Sequence, residues 1–326
     1  MGLLSGVKRR IKDAARARGY AVVRLPRPHE VVVPESYPPG HFYSVVPSAT
    51  EIERRAGAIF SRPTVIPGID LRAKEQIGLL KELVSFRDEV SFWAPERRIR
   101  FDIENDTFSW DDAPVLHAML RRFRPRRIVE IGSGHSSACM LDTDDLHLGS
   151  SVDFTFIDVD CGVLRRVLRD GDLSRTRMIE KPVQDVERSV FTALQEGDLL
   201  FVDSSHVVKA GSDLTTIFFE IFPALAPGVL VHVHDVRYPF EYPRQTLAHG
   251  TYWNEAYFLR AFLMHNPEFE IVFWLNYLVG LNDPEVREGL EGLPLDRWDA
   301  RFRGSSGDYR EAGGSIYLRK KEKEKA

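Results

Sequence analysis

The chain has 326 residues, 43% hydrophobic and 28% charged, an ordinary globular composition with room for one large domain or two small ones. A net charge of −4 without a basic domain argues against a nucleic-acid partner, and no apolar run reaches membrane-spanning length. The two cysteines, Cys139 and Cys161, lie in apolar surroundings and read as free buried thiols; with no visible signal peptide, the expected compartment is the cytoplasm.

In chain order, residues 3–18 place Leu3, Leu4, Val7, Ile11, Ala14 and Ala15 at helical spacing among Lys8, Arg9, Arg10, Lys12, Arg16 and Arg18. A basic amphipathic helix of this kind can lie peripherally on an anionic membrane, or dock on its own domain or on a partner subunit of a homo-oligomer. Residues 25–68 are proline-rich and irregular, and residues 69–93 resume helical periodicity. Residues 107–124 read as a helix capped by Asp111 or Asp112, with Pro114 in its first turn. The expected division is an N-terminal extension over 1–105, a main domain over 106–320 and a charged tail over 321–326.

The run RIVEIGSGHSSACM, residues 127–140, is a buried strand that enters a tight glycine-rich turn and opens a helix. Such a turn is a nucleotide-type cradle, because glycine permits close approach and the helix start offers free N–H groups. A dinucleotide site wants a third glycine. Here Gly132, Ser133 and Gly134 lead into Ser136 and Ser137, with Glu130 at the strand end. An acid followed by Gly-x-Gly without the third glycine resembles the cradle of S-adenosylmethionine (SAM) methyltransferases. These residues are the candidate cofactor contacts.

Strand and helix then alternate. Val152–Asp158 is a second strand whose terminal acid, Asp158, is placed to grip a ribose diol, with Asp160 as the reserve or a helix cap. Thr176–Glu180 is a third strand, followed by Asp185 as a candidate partner for an adenine amino group. Leu199–Asp203 is a fourth, delivering Asp203 and His206 to the carboxyl edge. After a helix over 213–226, Val229–Val233 delivers His234 and Asp235 to the same edge, with His232 deeper in the strand as a structural residue. Further strands are expected at Glu270–Leu275 and Ser315–Leu318, and a helix from Glu255 to Met264. Tyr252, Trp253 and Asn254 before that helix are the candidate acceptor pocket.

Two carboxylates with other ligands suit Mg²⁺ or Mn²⁺, and an imidazole suits proton removal from a hydroxyl. Asp203 and Asp235 are therefore the candidate metal ligands, His234 a third, and His206 the general base. The segments EIGSGHSS, FTFID, PVQDV, GDLLFVDSSH and GVLVHVHD, in that order, resemble a class I SAM-dependent methyltransferase over residues 125–320. The Asp-Ser-Ser-His and His-Asp pairs are similar to the macrolide-sugar and macrocin-type O-methyltransferases. In that branch a strand-end Asp and an acidic pair bind Mg²⁺, and a His three residues after the first Asp acts as base. Asp203, His206 and Asp235 match it, and His234 stands where the branch has an acid.

The resemblance implies an α/β, doubly wound Rossmann-like sheet of seven strands, mostly parallel with one antiparallel strand near the C-terminus. It implies SAM with Mg²⁺ or Mn²⁺ as cofactors and a small-molecule or glycan acceptor. The reading it supports is methylation of a sugar or glycosylated-metabolite hydroxyl. The competing readings are methylation of a catechol-like diol, a non-catalytic SAM-binding scaffold, and a metallohydrolase built on His232-x-His234-Asp235.

Overall fold

The computed structural model describes residues 37–89, 99–105, 107–108, 110–291 and 312–322. The basic segment 3–18, the start of the proline-rich arm and the end of the tail lie outside these residues. Contacts divide the chain into two compact units, Met1–Arg54 and Arg55–Ala326. In the first, Gly40 N donates to Val46 O at 2.8 Å, closing a loop in which the His41 ring stacks with Tyr37 and Phe42. The second holds the whole sheet.

Strands covered on both faces read as continuous apolar runs, and this chain has several. β1 (Arg127–Ile131), β2 (Asp153–Asp158), β3 (Thr176–Glu180), β4 (Leu199–Val202) and β5 (Leu230–Val233) run parallel. Every residue of β4 and β5 is buried, whereas β3, at the sheet edge, is partly open. β6 (Phe269–Trp274) and β7 (Ile316–Lys320) complete seven strands in the order β3-β2-β1-β4-β5-β7-β6, with β7 antiparallel to both neighbours. The order reverses between β1 and β4. The loops leaving those two strands diverge and open a crevice at their carboxyl ends.

The helices of this unit include α1 (Ala73–Val84), α2 (Ala113–Phe123), α3 (His135–Thr143), α4 (Gly162–Val167), α5 (Asp213–Thr216) and α6 (Glu255–Leu263). α1 buries Leu80 and Leu83, and its buried Gln76 accepts from Trp274 N at 2.7 Å, tying α1 to the end of β6. The helix expected over 213–226 is interrupted: α5 passes into a π turn, Ile217–Ile221, before one more turn at Phe222–Ala224. Buried Arg100 bridges Asp142 at 2.7 Å and Asp172 at 2.6 Å, and also reaches Asp145. This holds the segment before α2 against the end of α3. Cys139 and Cys161 are both buried and free. Among the described residues, no helix is long and apolar enough to cross a membrane.

Candidate active site

The cradle is built by a glycine that nothing larger can replace. Gly132 has φ +83°, and a Cβ there would lie 1.7 Å from Asp203 O. That clash follows from how closely β1 and β4 end together, with Asp203 N donating to Ile131 O at 2.9 Å. Past the turn, Ser133 N donates to Asp158 Oδ2 at 2.9 Å, and Asp158 Oδ1 accepts from Asp160 N at 2.9 Å. Asp158 thus joins the turns after β1 and β2 and presents its carboxylate to the cleft. Asp160 accepts from Gly162 N at 2.9 Å, the helix-start role expected for it.

Three of the predicted cofactor contacts are turned inward instead. Glu130 is fully buried and accepts from Ser136 Oγ at 2.6 Å and from Ser137 Oγ. Ser137 Oγ in turn accepts from Gly134 N at 2.9 Å. These groups hold the shape of the turn from behind: β1 is covered on both faces, and Glu130 is buried against the two serines at the start of α3. Burial pushes the Glu130 carboxyl up to about 8, against the pull of the serine hydroxyls.

A cleft of about 450 Å³ opens in front of the turn, lined by Gly132, Asp158, Gln184, Asp203, Ser204 and Ser205 among others. Asp185 is exposed and does not line it; its neighbour Gln184 does. Gln184 Nε2 donates to Gly211 O at 2.9 Å, while its buried Oε1 has no partner among the described residues. A buried acceptor left open in a cleft is suited to an amino group such as that of adenine. Sequence reasoning chose the acid one position later because the turn Val183–Asp185 hides which side chain faces in. Another cavity, of about 430 Å³, lies by Arg72 and Glu270 and includes none of the strand-end acids.

A cluster of charged side chains at the strand ends is centred on His206. Its Nδ1 is 2.8 Å from Glu255 Oε2, and its Nε2 is 3.3 Å from Asp203 Oδ1 and 3.7 Å from Asp235 Oδ2. Both His206 and Asp235 hold left-handed backbone, φ 58° and φ 56°. Such conformations cost about 1–3 kcal/mol and need support. His206 O provides it by accepting from Asn254 N at 3.1 Å and Glu255 N at 3.2 Å, which docks the loop on the start of α6. Burial opposes charge on His206, but Asp203 and Glu255, with Asp235 behind them, raise its pKa to about 10. This arrangement favours the imidazolium at neutral pH, and His206 sheds that proton, and so can act as a base, only when the pull of the carboxylates is relieved. Asp203 is held below the ordinary carboxylate range: burial opposes this, and His234 and His206 outweigh it.

His234 is engaged from behind. Its Nδ1 is 3.2 Å from Ser315 Oγ, which donates onward to Asp112. Asp112 also accepts from Gly314 N at 3.1 Å, and Asp111 accepts from Gly313 N at 3.0 Å. The expected helix cap is therefore not made: α2 begins at Ala113 with no side-chain cap, and both acids clamp the loop before β7. Burial, then repulsion from Asp112, lifts Asp111 to about 6. Among the described residues, the trio Asp203, His234 and Asp235 is not gathered into one tight ligand set; the cluster that is lies elsewhere. The reason is visible in the site, where the His206 ring stands between the two aspartates. Two partly exposed carboxylates nonetheless suit a hard divalent cation in donor type.

Of the predicted acceptor residues, Tyr252 and Trp253 are half-buried, with the Trp253 ring 4.3 Å from His206. Asn254 is spent on structure: its amide accepts from Val208 N at 2.6 Å and donates to Val208 O at 3.2 Å. Glu255, which the sequence places beside the acceptor pocket with Tyr252, Trp253 and Asn254, is instead the closest partner of His206. Its position 49 residues downstream hid that contact, and a buried acid at a helix start was the only available signal.

A sequence profile described as a methyltransferase domain matches residues 129–236. An uncharacterized protein of Archaeoglobus fulgidus is 34% identical over 194 residues, 57% of this chain and 83% of that one. Among solved structures, the SAH-bound methyltransferase PaMTH1 of Podospora anserina is 17% identical, covering 86% of this chain and 99% of its own at a TM-score of 0.41. The O-methyltransferase TomG of Streptomyces achromogenes, involved in tomaymycin synthesis and solved with SAM, is 15% identical over 83% of this chain and 96% of its own, at a TM-score of 0.36. The fold, the cradle and the matched domain define a SAM-dependent methyltransferase. The chain belongs to the same family as the archaeal protein.

Proposed function

We propose that this methyltransferase acts on oxygen, carrying the methyl group of SAM to a hydroxyl of a sugar or glycosylated metabolite. The observation that carries the reading is His206 Nε2 poised between Asp203 and Asp235, 3.3 Å and 3.7 Å away, beside the cleft that Asp203 also lines. Once the His206 ring has given its own proton to solvent, the sulfonium C–S bond breaks, a C–O bond forms, the hydroxyl proton passes to neutral His206 Nε2, and S-adenosylhomocysteine leaves.

Each side chain then has a task. Asp158 takes the ribose diol, Gln184 Oε1 accepts from the adenine amino group, and the main chain of Gly132 and Gly134 faces the methionine end. Glu130, Ser136 and Ser137 keep that turn in shape. Trp253 and Tyr252 border the acceptor, and Asn254 fixes the loop that carries His206. Glu255 orients the His206 ring through Nδ1, leaving Nε2 toward the hydroxyl. Asp203 and Asp235 would hold Mg²⁺ or Mn²⁺, with His234 close behind. When bound, the ion would acidify a chelated hydroxyl and draw the aspartate charge away from His206.

The test is incubation with methyl-labelled SAM and a panel of glycosylated and catechol acceptors, with Mg²⁺ or with chelator, read by mass spectrometry. Methyl gain on a sugar hydroxyl that chelator suppresses and Asp203→Asn abolishes is the expected result. Full transfer in Asp203→Asn removes the proposed site, and transfer to catechols alone removes the sugar acceptor.

A further inference from the structure

Away from the cleft, Glu89, His117 and His147 face one another. One carboxylate oxygen and one nitrogen from each imidazole lie within 4.8 Å of one another. Glu89 closes the 3-10 turn Arg87–Glu89, His117 is on α2, and His147 is in the π turn Asp144–Leu148 after α3. None of the three lines the cleft.

Hydrogen bonds decide which nitrogen of each ring carries the lone pair. Thr143 Oγ1 donates its single proton to Cys139 O at 2.8 Å. It must therefore accept from His117 Nδ1, 3.1 Å away, so the proton of neutral His117 is on Nδ1 and its lone pair on Nε2. His147 Nε2 lies 3.1 Å from Glu89 O, a carbonyl that can only accept. The His147 lone pair, in the neutral ring, is then on Nδ1, which is 3.7 Å from Glu89 Oε2. In the neutral rings, His117 Nε2 and His147 Nδ1 are then the nitrogens able to ligate a cation. Arg121 also grips Glu89, from Nη2 to Oε1 at 3.1 Å and from Nε to Oε2, which fixes the carboxylate orientation. Metal-binding imidazoles are commonly oriented by a hydrogen bond from the distal nitrogen, and both rings have one here.

We propose that Glu89, His117 and His147 form a structural site for one zinc-class divalent transition metal. Two imidazole nitrogens and one carboxylate oxygen suit that class better than Mg²⁺ or Ca²⁺. Bonds of about 2.0–2.2 Å would bring the ligand atoms to roughly 3.3–3.6 Å from one another, a modest contraction of the present cluster. The His147 and Glu89 side chains retain 16% and 33% exposure, so an ion has a way in and water can complete its coordination. Bound there, the metal would fasten the 87–89 turn to α2 and the π turn.

The experiment uses the full chain stripped with chelator and titrated with zinc chloride by calorimetry. It is run in parallel in an Asp203→Asn/Asp235→Asn background, so that the strand-end carboxylates do not contribute. One zinc per chain is expected in both, with a higher melting temperature. Thr143→Val, which removes the partner orienting His117, should weaken binding by about 10- to 100-fold. His147→Gln should weaken it further, and Glu89→Gln offers an independent variant if either fails to fold. Zinc binding unchanged in folded His147→Gln and Glu89→Gln overturns the site. So does no zinc binding with His147 found protonated by NMR, since the cation is then a proton.

Discussion

Glu255→Gln isolates the electrostatics on which the reactive edge depends. His206 is raised from an ordinary 6.5 to about 10, which at 1.36 kcal/mol per pH unit amounts to about 5 kcal/mol in favour of the imidazolium. Asp203, Glu255 and Asp235 supply it against the cost of burial. Glu255 contributes both the 2.8 Å hydrogen bond and a full charge from a buried position. The amide keeps the shape and an acceptor oxygen but loses the charge, so the variant should forfeit about 2 kcal/mol of the preference. A group whose folded pKa is raised gives stability that is complete below its unfolded value and is lost as pH rises through the folded one. Glu255→Gln should therefore be less stable than wild type by about 2 kcal/mol near pH 6, and the gap should narrow toward pH 10. Urea unfolding across that range measures the gap, and NMR titration of the His206 ring measures its cause. A wild-type ring that titrates near 6.5, or a gap independent of pH, would refute the reasoning.

The same geometry sets other outcomes. Gly132→Ala puts a methyl group on Asp203 O and should abolish SAM binding in a chain that still shows its sheet by circular dichroism. Arg100→Met leaves Asp142 and Asp172 buried without their partner, and chemical denaturation should register a loss of about 3–5 kcal/mol. Glu130, lifted to about 8 by burial, costs stability progressively as pH rises from about 4.5 through 8, and Glu130→Gln should flatten that part of the stability profile. A decline that persists unchanged in Glu130→Gln would place its origin elsewhere.

The parallel strands were legible because burial on both faces leaves little ambiguity in runs such as Leu199–Val202 and Leu230–Val233. The acids at their ends were legible for a related reason, since a strand leaves its last residue at the sheet edge. What the sequence concealed depends on partners far along the chain. Asp111 and Asp112 look like helix caps, yet they bind Gly313 and Gly314, some 200 residues later. Glu255 meets His206 across 49 residues, and nothing local marks it. Glu130 turns to the serines of α3 and not to the cleft, and Gln184, one residue before the expected Asp185, lines the cleft in its place. The left-handed backbone at His206 and Asp235 has only a weak sequence signature: Asp and His enter that region more readily than most residues, but rarely.

The most direct test of the account is calorimetric titration of the purified chain with SAM, beside Asp158→Ala. Asp158 lines the cleft and ties two of its loops together. The account predicts one SAM per chain in the wild type and affinity at least about tenfold weaker in the variant, the loss of one charge-assisted contact. No SAM binding by the wild type, or equal affinity in a folded Asp158→Ala, would contradict it.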